Sequence, residues 1–165
     1  MSNVPVLALD LSTNTGWALS DRNNVITSGV QVFDLKRGES KGMRFLRFRK
    51  WLKDIIRLGE LGKDFSETNP GLVAWEMAHH RGSHATELCV GLVTDTMAEA
   101  ALFGLEHMSI HSASLKKFAT GNGRASKEDM ISKVKELYPN LEIIDDNHAD
   151  ALLLLKYAMD EIGKI

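Results

Sequence analysis

Three acidic residues stand where apolar runs of this chain begin or end. Asp10 ends the run VPVLALD, Glu76 ends LVAWE, and Asp150 opens the run that begins DALLLL. In an α/β fold, two carboxylates at strand ends and a third at a helix start can converge on one spot. Converging carboxylates without basic partners favour hard divalent cations. Metal-assisted chemistry on phosphates is a frequent use of such a site.

The bulk composition sets broad limits. A length of 165 residues predicts one domain, spanning 1–165, and a hydrophobic content of 44% suffices for a core. The net charge of −2 excludes a strongly basic protein and argues mildly against nucleic acid. A small net charge can still hide a local basic patch, so this argument carries little weight.

Targeting and redox signals point to the cytoplasm. Cys89 is the single cysteine and lies in an apolar run, which excludes a disulfide framework and fits a reducing compartment. The N-terminus lacks the pattern of a signal peptide. No apolar run of about 18 residues is present, so we expect no membrane span.

Hydrophobic periodicity predicts a mixed sheet with helices on its faces. The predicted strands are 4–10, 17–20, 25–33, 72–76 and 107–111, the first three forming an antiparallel meander. The predicted helices are 43–58, 86–103, 115–119, 126–138 and 147–162. In such sheets, ligands bind at the carboxyl ends of the strands, where Asp10 and Glu76 would lie.

Several local signals refine these boundaries. Residues 11–16 form a predicted turn of small polar residues. Ser112 or Ser114 is expected to cap the short helix. Ser126 and Asp129 have the spacing of a capping box at the start of the next helix.

Each acid also has an ordinary structural interpretation. Asp10 could cap a turn, and Glu76 could pair with Arg81 or a lysine. Asp150 could serve the helix N-terminus, although the group Asp145–Asn147 could do that alone. We favour function at Glu76, because carboxylates are rarely buried unpaired.

Two polar loops accompany the acids. Residues 12–15 could approach a phosphate or simply form a tight hairpin. Around Gly121–Gly123, four basic residues suggest a phosphate-contacting loop, against the alternative of an ordinary solvated surface. These residues are Lys116, Lys117, Arg124 and Lys127. No dinucleotide or Walker A motif is present, and no zinc spacing joins the histidines to Cys89.

Four segments in order resemble the RuvC-type Holliday-junction resolvases of the RNase H-like superfamily, particularly the phage members. They are ALDLSTNTGWAL, VAWE, LKKFATGNGRASKEDM and NHADALLLLKYA. The third segment is the most specific, because two lysines flank a glycine loop at the family's spacing. The resemblance covers almost the whole chain and implies an α/β, RNase H-like mixed five-stranded sheet flanked by helices.

The resemblance implies a two-metal site for phosphodiester hydrolysis, with two Mg²⁺ ions, for which Mn²⁺ is a plausible substitute. Asp10, Glu76 and Asp150 would be ligands. The family has an acid or histidine where this chain has Asn147, so we favour Asp146 as the fourth ligand, with Asn147 or His148 as alternatives. Lys116 and Lys127 would be catalytic. Close carboxylates repel, so we expect a raised pKa at Glu76 or Asp150.

Branched DNA is the implied partner, cut symmetrically by a homodimer. Helix 86–103 is a candidate dimer interface, its alternative role being packing on the sheet. His79 stands where the resemblance suggests an aromatic wedge. The predicted DNA-binding residues are Ser12, Thr13, Asn14, His79, His80, Arg81, Lys117, Asn122 and Arg124.

Three other functional classes share some of these sequence features. An RNase H-like nuclease could act on flaps, forks or RNA–DNA hybrids instead. A non-catalytic junction binder is made plausible by Asn147. A sugar-kinase-like or actin-like ATPase shares the early strand and aspartate, but the chain is too short for the two domains of that class.

Overall fold

The computed structural model of the chain describes residues 3–77 and 82–164. Within these residues, one five-stranded sheet carries helices on both faces. The strands are β1 Val6–Asp10, β2 Asn14–Ser20, β3 Ile26–Val32, β4 Leu72–Glu76 and β5 Glu106–Ile110. The helices are α1 Gly42–Leu58, α2 Ser83–Phe103, α3 Ser112–Thr120, α4 Lys127–Leu137 and α5 Asp146–Ile162.

The sheet is mixed, as predicted. Its strand order is β3-β2-β1-β4-β5, in which β1, β2 and β3 form an antiparallel meander. β4 pairs in parallel with β1 and with β5. The carboxyl ends of β1 and β4 therefore lie at the same edge of the sheet, and Asp10 and Glu76 are the last residues of these strands.

Alternation along β1 divides the interior into two cores, one on each face of the sheet. Val6 and Ala8 belong to the core beneath α5, whereas Leu7 and Leu9 belong to the core beneath α1. All four side chains are essentially fully buried. The strand is covered on both faces, which explains why it reads as a continuous apolar run rather than an alternating one.

Helix α5 is the centre of the first core. It contacts β1, β2, β3 and β4 on one side and α3 and α4 on the other. The run 151–155 is consequently buried all round, at 0% exposure for each residue. Burial on every side removes the need for a polar face, so the sequence ALLLL is compatible with a helix.

The predicted elements are close to those observed, but two local predictions differ from the structure. β2 begins at Asn14, so the turn after β1 is shorter than the predicted 11–16. The predicted cap of α3 by Ser112 or Ser114 is wrong, because His111 occupies the N-cap position and no side chain caps the helix. The capping box of Ser126 and Asp129 is confirmed, with both reciprocal hydrogen bonds present.

Among the described residues, no helix is long and apolar enough to cross a membrane.

Candidate active site

A cleft of about 290 Å³ opens at the edge of the sheet where β1 and β4 end. It collects residues from strands β1 and β4 and from helices α2, α3, α4 and α5. Its lining is Asp10, Leu11, Ser12, Glu76, Met77, Cys89, Val93, Ser112, Leu115, Lys116, Lys127, Met130, Asp146, Asn147 and Asp150. The four predicted carboxylates and both predicted catalytic lysines thus line one cavity.

The fold brings the carboxylates together by simple means. Leu9 pairs with Trp75 in the parallel register of β1 and β4. The next residues, Asp10 and Glu76, therefore lie side by side at the carboxyl edge of the sheet. The N-terminal end of α5 supplies Asp146 and, one turn later, Asp150 to the same cleft.

The helix begins where it does because Asp145 caps it. The Asp145 carboxylate accepts a hydrogen bond from the backbone N–H of His148 at 2.8 Å. An aspartate at the N-cap satisfies one of the N–H groups that the first turn leaves without a partner. Capping is therefore done by Asp145, and Asp146 and Asp150 are left to face the cleft.

Electrostatic repulsion marks the centre of the cleft. Burial raises the pKa of Asp10 well above its usual value, and the charges of Asp150, Glu76 and Asp146 add to the rise. Burial, with the charges of Glu76 and Asp146, likewise raises the pKa of Asp150 to about 7. The predicted rise at Asp150 is confirmed. These acids lie where their ionised forms are poorly solvated and face like charge.

The two lysines offset part of this charge. Lys127 Nζ lies 2.9 Å from Asp146 Oδ2, and this charged hydrogen bond lowers the pKa of Asp146. The charges of Lys116 and Lys127 also oppose the rise in the pKa of Asp150. The cleft therefore contains two acids with a raised pKa and one with a lowered pKa.

The three candidates for the fourth metal ligand differ in whether they line the cleft. Asp146 and Asn147 line the cleft, whereas His148 does not. His148 is only 3% exposed. Its Nδ1 accepts from the Ile144 N–H at 3.1 Å, and its Nε2 lies 2.8 Å from Ser28 Oγ.

Helical periodicity explains why Asp146 and Asn147 face the cleft and His148 does not. At about 100° per residue, positions 146, 147 and 150 share one side of a helix, and position 148 lies on the opposite side. The direction of His148 could therefore have been predicted from the sequence.

Carboxylates make up most of the possible metal ligands in the cleft. Among residues 3–77 and 82–164, no three His, Cys, Asp or Glu side chains form a ready-made metal-binding group. The chemistry of the cleft nevertheless fits a hard cation, because carboxylate oxygens are its preferred ligands. Repulsion among these carboxylates is also the strain that a bound cation would relieve.

The other predicted DNA-binding residues are partly at the cleft and partly around it. Ser12 lines the cleft, and its Oγ donates to the Asn14 carbonyl at 2.8 Å. The Thr13 carbonyl accepts from Phe33 N–H, and Asn14 is exposed. Lys117, Asn122 and Arg124 are exposed on α3 and the loop that follows it. His79, His80 and Arg81 lie outside the described residues.

The sequence does not predict that α2 forms one wall of the cleft. Cys89 and Val93, one helical turn apart, line the cavity, and Cys89 Sγ lies 3.9 Å from the Leu11 carbonyl oxygen. Leu11 and Met77 follow the strand-end acids directly and could have been inferred. No local signal identifies Cys89 and Val93, because their position depends on how α2 packs against the rest of the fold.

Comparison with known proteins places these features in a wider context. No protein-family model matches the chain. The crossover junction endodeoxyribonuclease RuvC of Wolbachia sp. subsp. Drosophila simulans (strain wRi) is 28% identical over 154 residues, which cover 90% of each chain. RuvC of Wolbachia pipientis wMel matches with the same identity and coverage. The chain is therefore similar to RuvC over most of its length.

Solved structures agree with this resemblance at the level of the fold. The chain matches T. thermophilus RuvC in complex with a Holliday junction substrate at a TM-score of 0.76, with 18% identity, over 98% of this chain and 97% of that one. It matches the yeast mitochondrial Holliday junction resolvase Ydc2 at a TM-score of 0.59, with 15% identity, over 96% and 83% of the two chains. The predicted RNase H-like fold is confirmed, and the placement of the chain among phage members stays a prediction.

Proposed function

We propose that this chain is a metal-dependent endonuclease that cleaves Holliday junctions and related branched DNA. The observation that carries the proposal is the cleft, in which four carboxylates and two lysines line one cavity at the carboxyl edge of the sheet of a RuvC-like fold. Neither feature suffices alone, because one fold supports many activities and function must be argued from the site.

Asp10, Glu76, Asp146 and Asp150 would hold two Mg²⁺ ions, or Mn²⁺ in their place, with Asn147 as the alternative to Asp146. When bound, the ions lower the pKa of a water molecule and stabilise charge on the leaving oxygen of a phosphodiester. The raised pKa of Asp10 and Asp150 fits this role, because these carboxylates gain from a neighbouring cation more than ordinary surface acids do.

The two lysines would hold the scissile phosphate. Lys116 lies on α3 and Lys127 opens α4, so they reach the cleft from a different side than the strand-end acids. An ammonium group close to the phosphate stabilises the negative charge that develops on its oxygens during hydrolysis. Lys127 would exchange its bond with Asp146 for one with the phosphate.

Contacts to the DNA backbone would come from two surfaces beside the cleft. Ser12 and Thr13 in the turn after β1, and Asn14 at the start of β2, follow Asp10 closely in sequence. The loop after α3 presents exposed Lys117, Asn122 and Arg124. Such polar and basic groups position a duplex without reading its sequence.

Symmetric cutting of a four-way junction calls for a homodimer, and we propose that α2 forms its interface. One side of α2 packs against α1 and β5. Its other side exposes Val90 (51%), Met97 (40%) and Leu102 (70%). Large apolar side chains exposed along one helix are typical of an interaction surface.

We also propose that residues 1–165 form one nuclease domain that acts in the cytoplasm.

Leu102→Lys tests the interface, since it places a charge at the most exposed apolar position of α2. Light scattering should report a wild-type dimer and a folded monomeric variant. A wild-type chain that is a monodisperse monomer at working concentration and still cuts junctions would contradict the homodimer.

The catalytic assignment is tested on a synthetic four-way junction with and without Mg²⁺. Asp10→Asn or Asp150→Asn should abolish Mg²⁺-dependent cleavage and preserve junction binding, because each removes one charged ligand and almost no volume. Full cleavage by either variant would refute the site. A panel of flaps, forks and RNA–DNA hybrids would reveal a nuclease of different substrate preference.

Asn147 favours one alternative function, that of a non-catalytic junction-binding protein. An amide lines the cleft at the position where the resemblance implies an acid or histidine. Binding of junctions by the wild type without any metal-dependent cleavage would establish this alternative. In that case Asn147→Asp should create metal-dependent cleavage.

A further inference from the structure

His148 is a buried polar residue that the proposed reaction does not use. It lies in the first turn of α5, between Asn147 and Asp150 in sequence, yet it faces away from the cleft. Only 3% of it is exposed, and it contacts the strand β3 through Ser28. A buried imidazole is stable only when its nitrogens have hydrogen-bond partners.

Both ring nitrogens have such partners, and they define one tautomer. Nδ1 accepts from the Ile144 N–H, so this nitrogen carries no hydrogen. Nε2 is then the protonated nitrogen and donates to Ser28 Oγ at 2.8 Å. The imidazole therefore links the start of α5 to a strand that is 120 residues away in sequence.

A second contact fixes the depth of the same turn. The Asn147 carbonyl packs against Gly16 of β2, where an added Cβ would lie 1.9 Å from the Asn147 oxygen. Gly16 pairs with Asp10 across the β1–β2 ladder. Because Gly16 has no side chain, the first turn of α5 can lie close to β2, beside the residue that pairs with Asp10.

We propose that Ser28, His148 and Gly16 act together as a positioning unit, the α5 anchor, which aims Asp146 and Asp150 into the cleft. Gly16 sets the distance of the first turn from the sheet. The His148–Ser28 hydrogen bond sets the rotation of the helix about its axis. The inference rests on the proposed function, since it assigns these residues to the geometry of that same site.

A hydrogen bond suits this task better than apolar packing does. Its length and angle are narrowly limited, whereas apolar contacts tolerate small rotations of a helix. Position 148 lies opposite the cleft-lining side of the turn, so a rotation that breaks the bond to Ser28 moves Asp146 and Asp150 as well. Misplacement of a ligand by as little as about 1 Å is costly to catalysis.

Ser28→Ala is the informative variant, because it removes the hydroxyl and leaves the helix sequence intact. Its matched control is Thr27→Ala, which removes a hydroxyl from the neighbouring, exposed position of β3. The first readout is Mn²⁺ binding to the DNA-free protein by titration calorimetry, at a temperature well below unfolding. Ser28→Ala should weaken Mn²⁺ binding about tenfold, the lower end of what groups that orient metal ligands contribute, and Thr27→Ala should leave it unchanged.

The second readout separates positioning from general stability. Ser28→Ala should lower kcat for junction cleavage and leave the Kd for the junction unchanged, because the DNA contacts lie outside the anchor. Ser28→Thr should restore both Mn²⁺ affinity and kcat. Gly16→Ala should cause the larger loss, since its Cβ displaces the Asn147 carbonyl. If Gly16→Ala fails to fold, Ser28→Ala still decides the matter.

The outcomes distinguish failure of the anchor from failure of the proposed function. Equal Mn²⁺ affinity and kcat in Ser28→Ala and Thr27→Ala, with an active wild type, would overturn the anchor alone. A wild type that neither binds Mn²⁺ nor cleaves branched DNA would overturn the proposed function and the anchor with it.

Discussion

The N-terminal end of α5, residues 146–150, is polar and carries like charges close together, whereas the run 151–155 that follows it is apolar and fully buried. Asp146 and Asp150 face the cleft, where the pKa of Asp150 rises to about 7. One residue later begins the run 151–155, which is entirely buried. A single helix thus joins a region that stabilises the fold to a region that is suboptimal for stability.

This contrast teaches how the site is supported. Converging carboxylates lower the stability of the folded state, and only a rigid neighbourhood keeps them together. The apolar turns of α5 provide it, because they contact four strands and two helices. Substitutions in the two halves should therefore change stability with opposite signs.

The largest effect is expected in the apolar half. Leu153→Ala should lower the free energy of unfolding by about 2–5 kcal/mol, because Leu153 is fully buried and its loss leaves a cavity. Urea denaturation in EDTA measures this. Ile144→Ala is the control, since Ile144 precedes α5 and is 63% exposed. A loss at Leu153 no greater than at Ile144 would contradict the proposed support.

An effect of opposite sign is expected at Asp150. Its folded-state pKa of about 7 exceeds the unfolded value of about 3.9. A raised acid pKa means that the folded state prefers the protonated form, so stability is fully present below about pH 4 and is lost as the pH rises to about 7. Asp150→Asn removes that loss and should stabilise the metal-free protein at pH 8.

The expected gain at pH 8 is about 1–4 kcal/mol, the upper figure being three pKa units without solvent screening. At pH 5 the gain should be clearly smaller, and urea denaturation at the two pH values measures both. Asp160→Asn is the control from the far end of α5, where Asp160 pairs with Lys156 at 2.8 Å. If Asp150→Asn were less stable than the wild type at pH 8 in EDTA, the raised pKa of Asp150 would be refuted.

Much of this contrast could be predicted from the sequence. The acids at 10 and 76 end apolar runs, and strand ends at one sheet edge must meet, so their convergence follows from local pattern and topology. The buried half of α5 is visible as an uninterrupted apolar run. The capping box at Ser126 is also local, because its two partners are three residues apart.

The rest depends on tertiary packing that local patterns do not contain. Cys89 and Val93 line the cleft only because of how α2 lies against the other elements. The predicted serine cap of α3 is wrong because the helix already starts at Ser112, so that His111, directly after β5, is the N-cap residue. Ser28 joins the site region through a hydrogen bond to a residue 120 positions away.

The smallest effect on stability is expected at Lys127, although its effect on activity should be large. Lys127 pairs with Asp146 at 2.9 Å, but its side chain is 78% exposed. Exposed ion pairs contribute about 0–1 kcal/mol, so Lys127→Met should change stability by no more than that. The pKa of Asp146 should rise, because the bond that lowers it is lost. Carboxyl carbon NMR shifts measured against pH report this change directly.

Lys164→Met makes this comparison specific, because Lys164 forms an exposed pair with Glu161 at 2.6 Å near the opposite end of α5. Both variants should be nearly as stable as the wild type, and Lys127→Met alone should lose junction cleavage. Equal cleavage by both would show that Lys127 serves only as a partner of Asp146. Loss of cleavage with unchanged stability would instead show that the polar end of α5 is organised for chemistry, and that its ion pair adds little to folding.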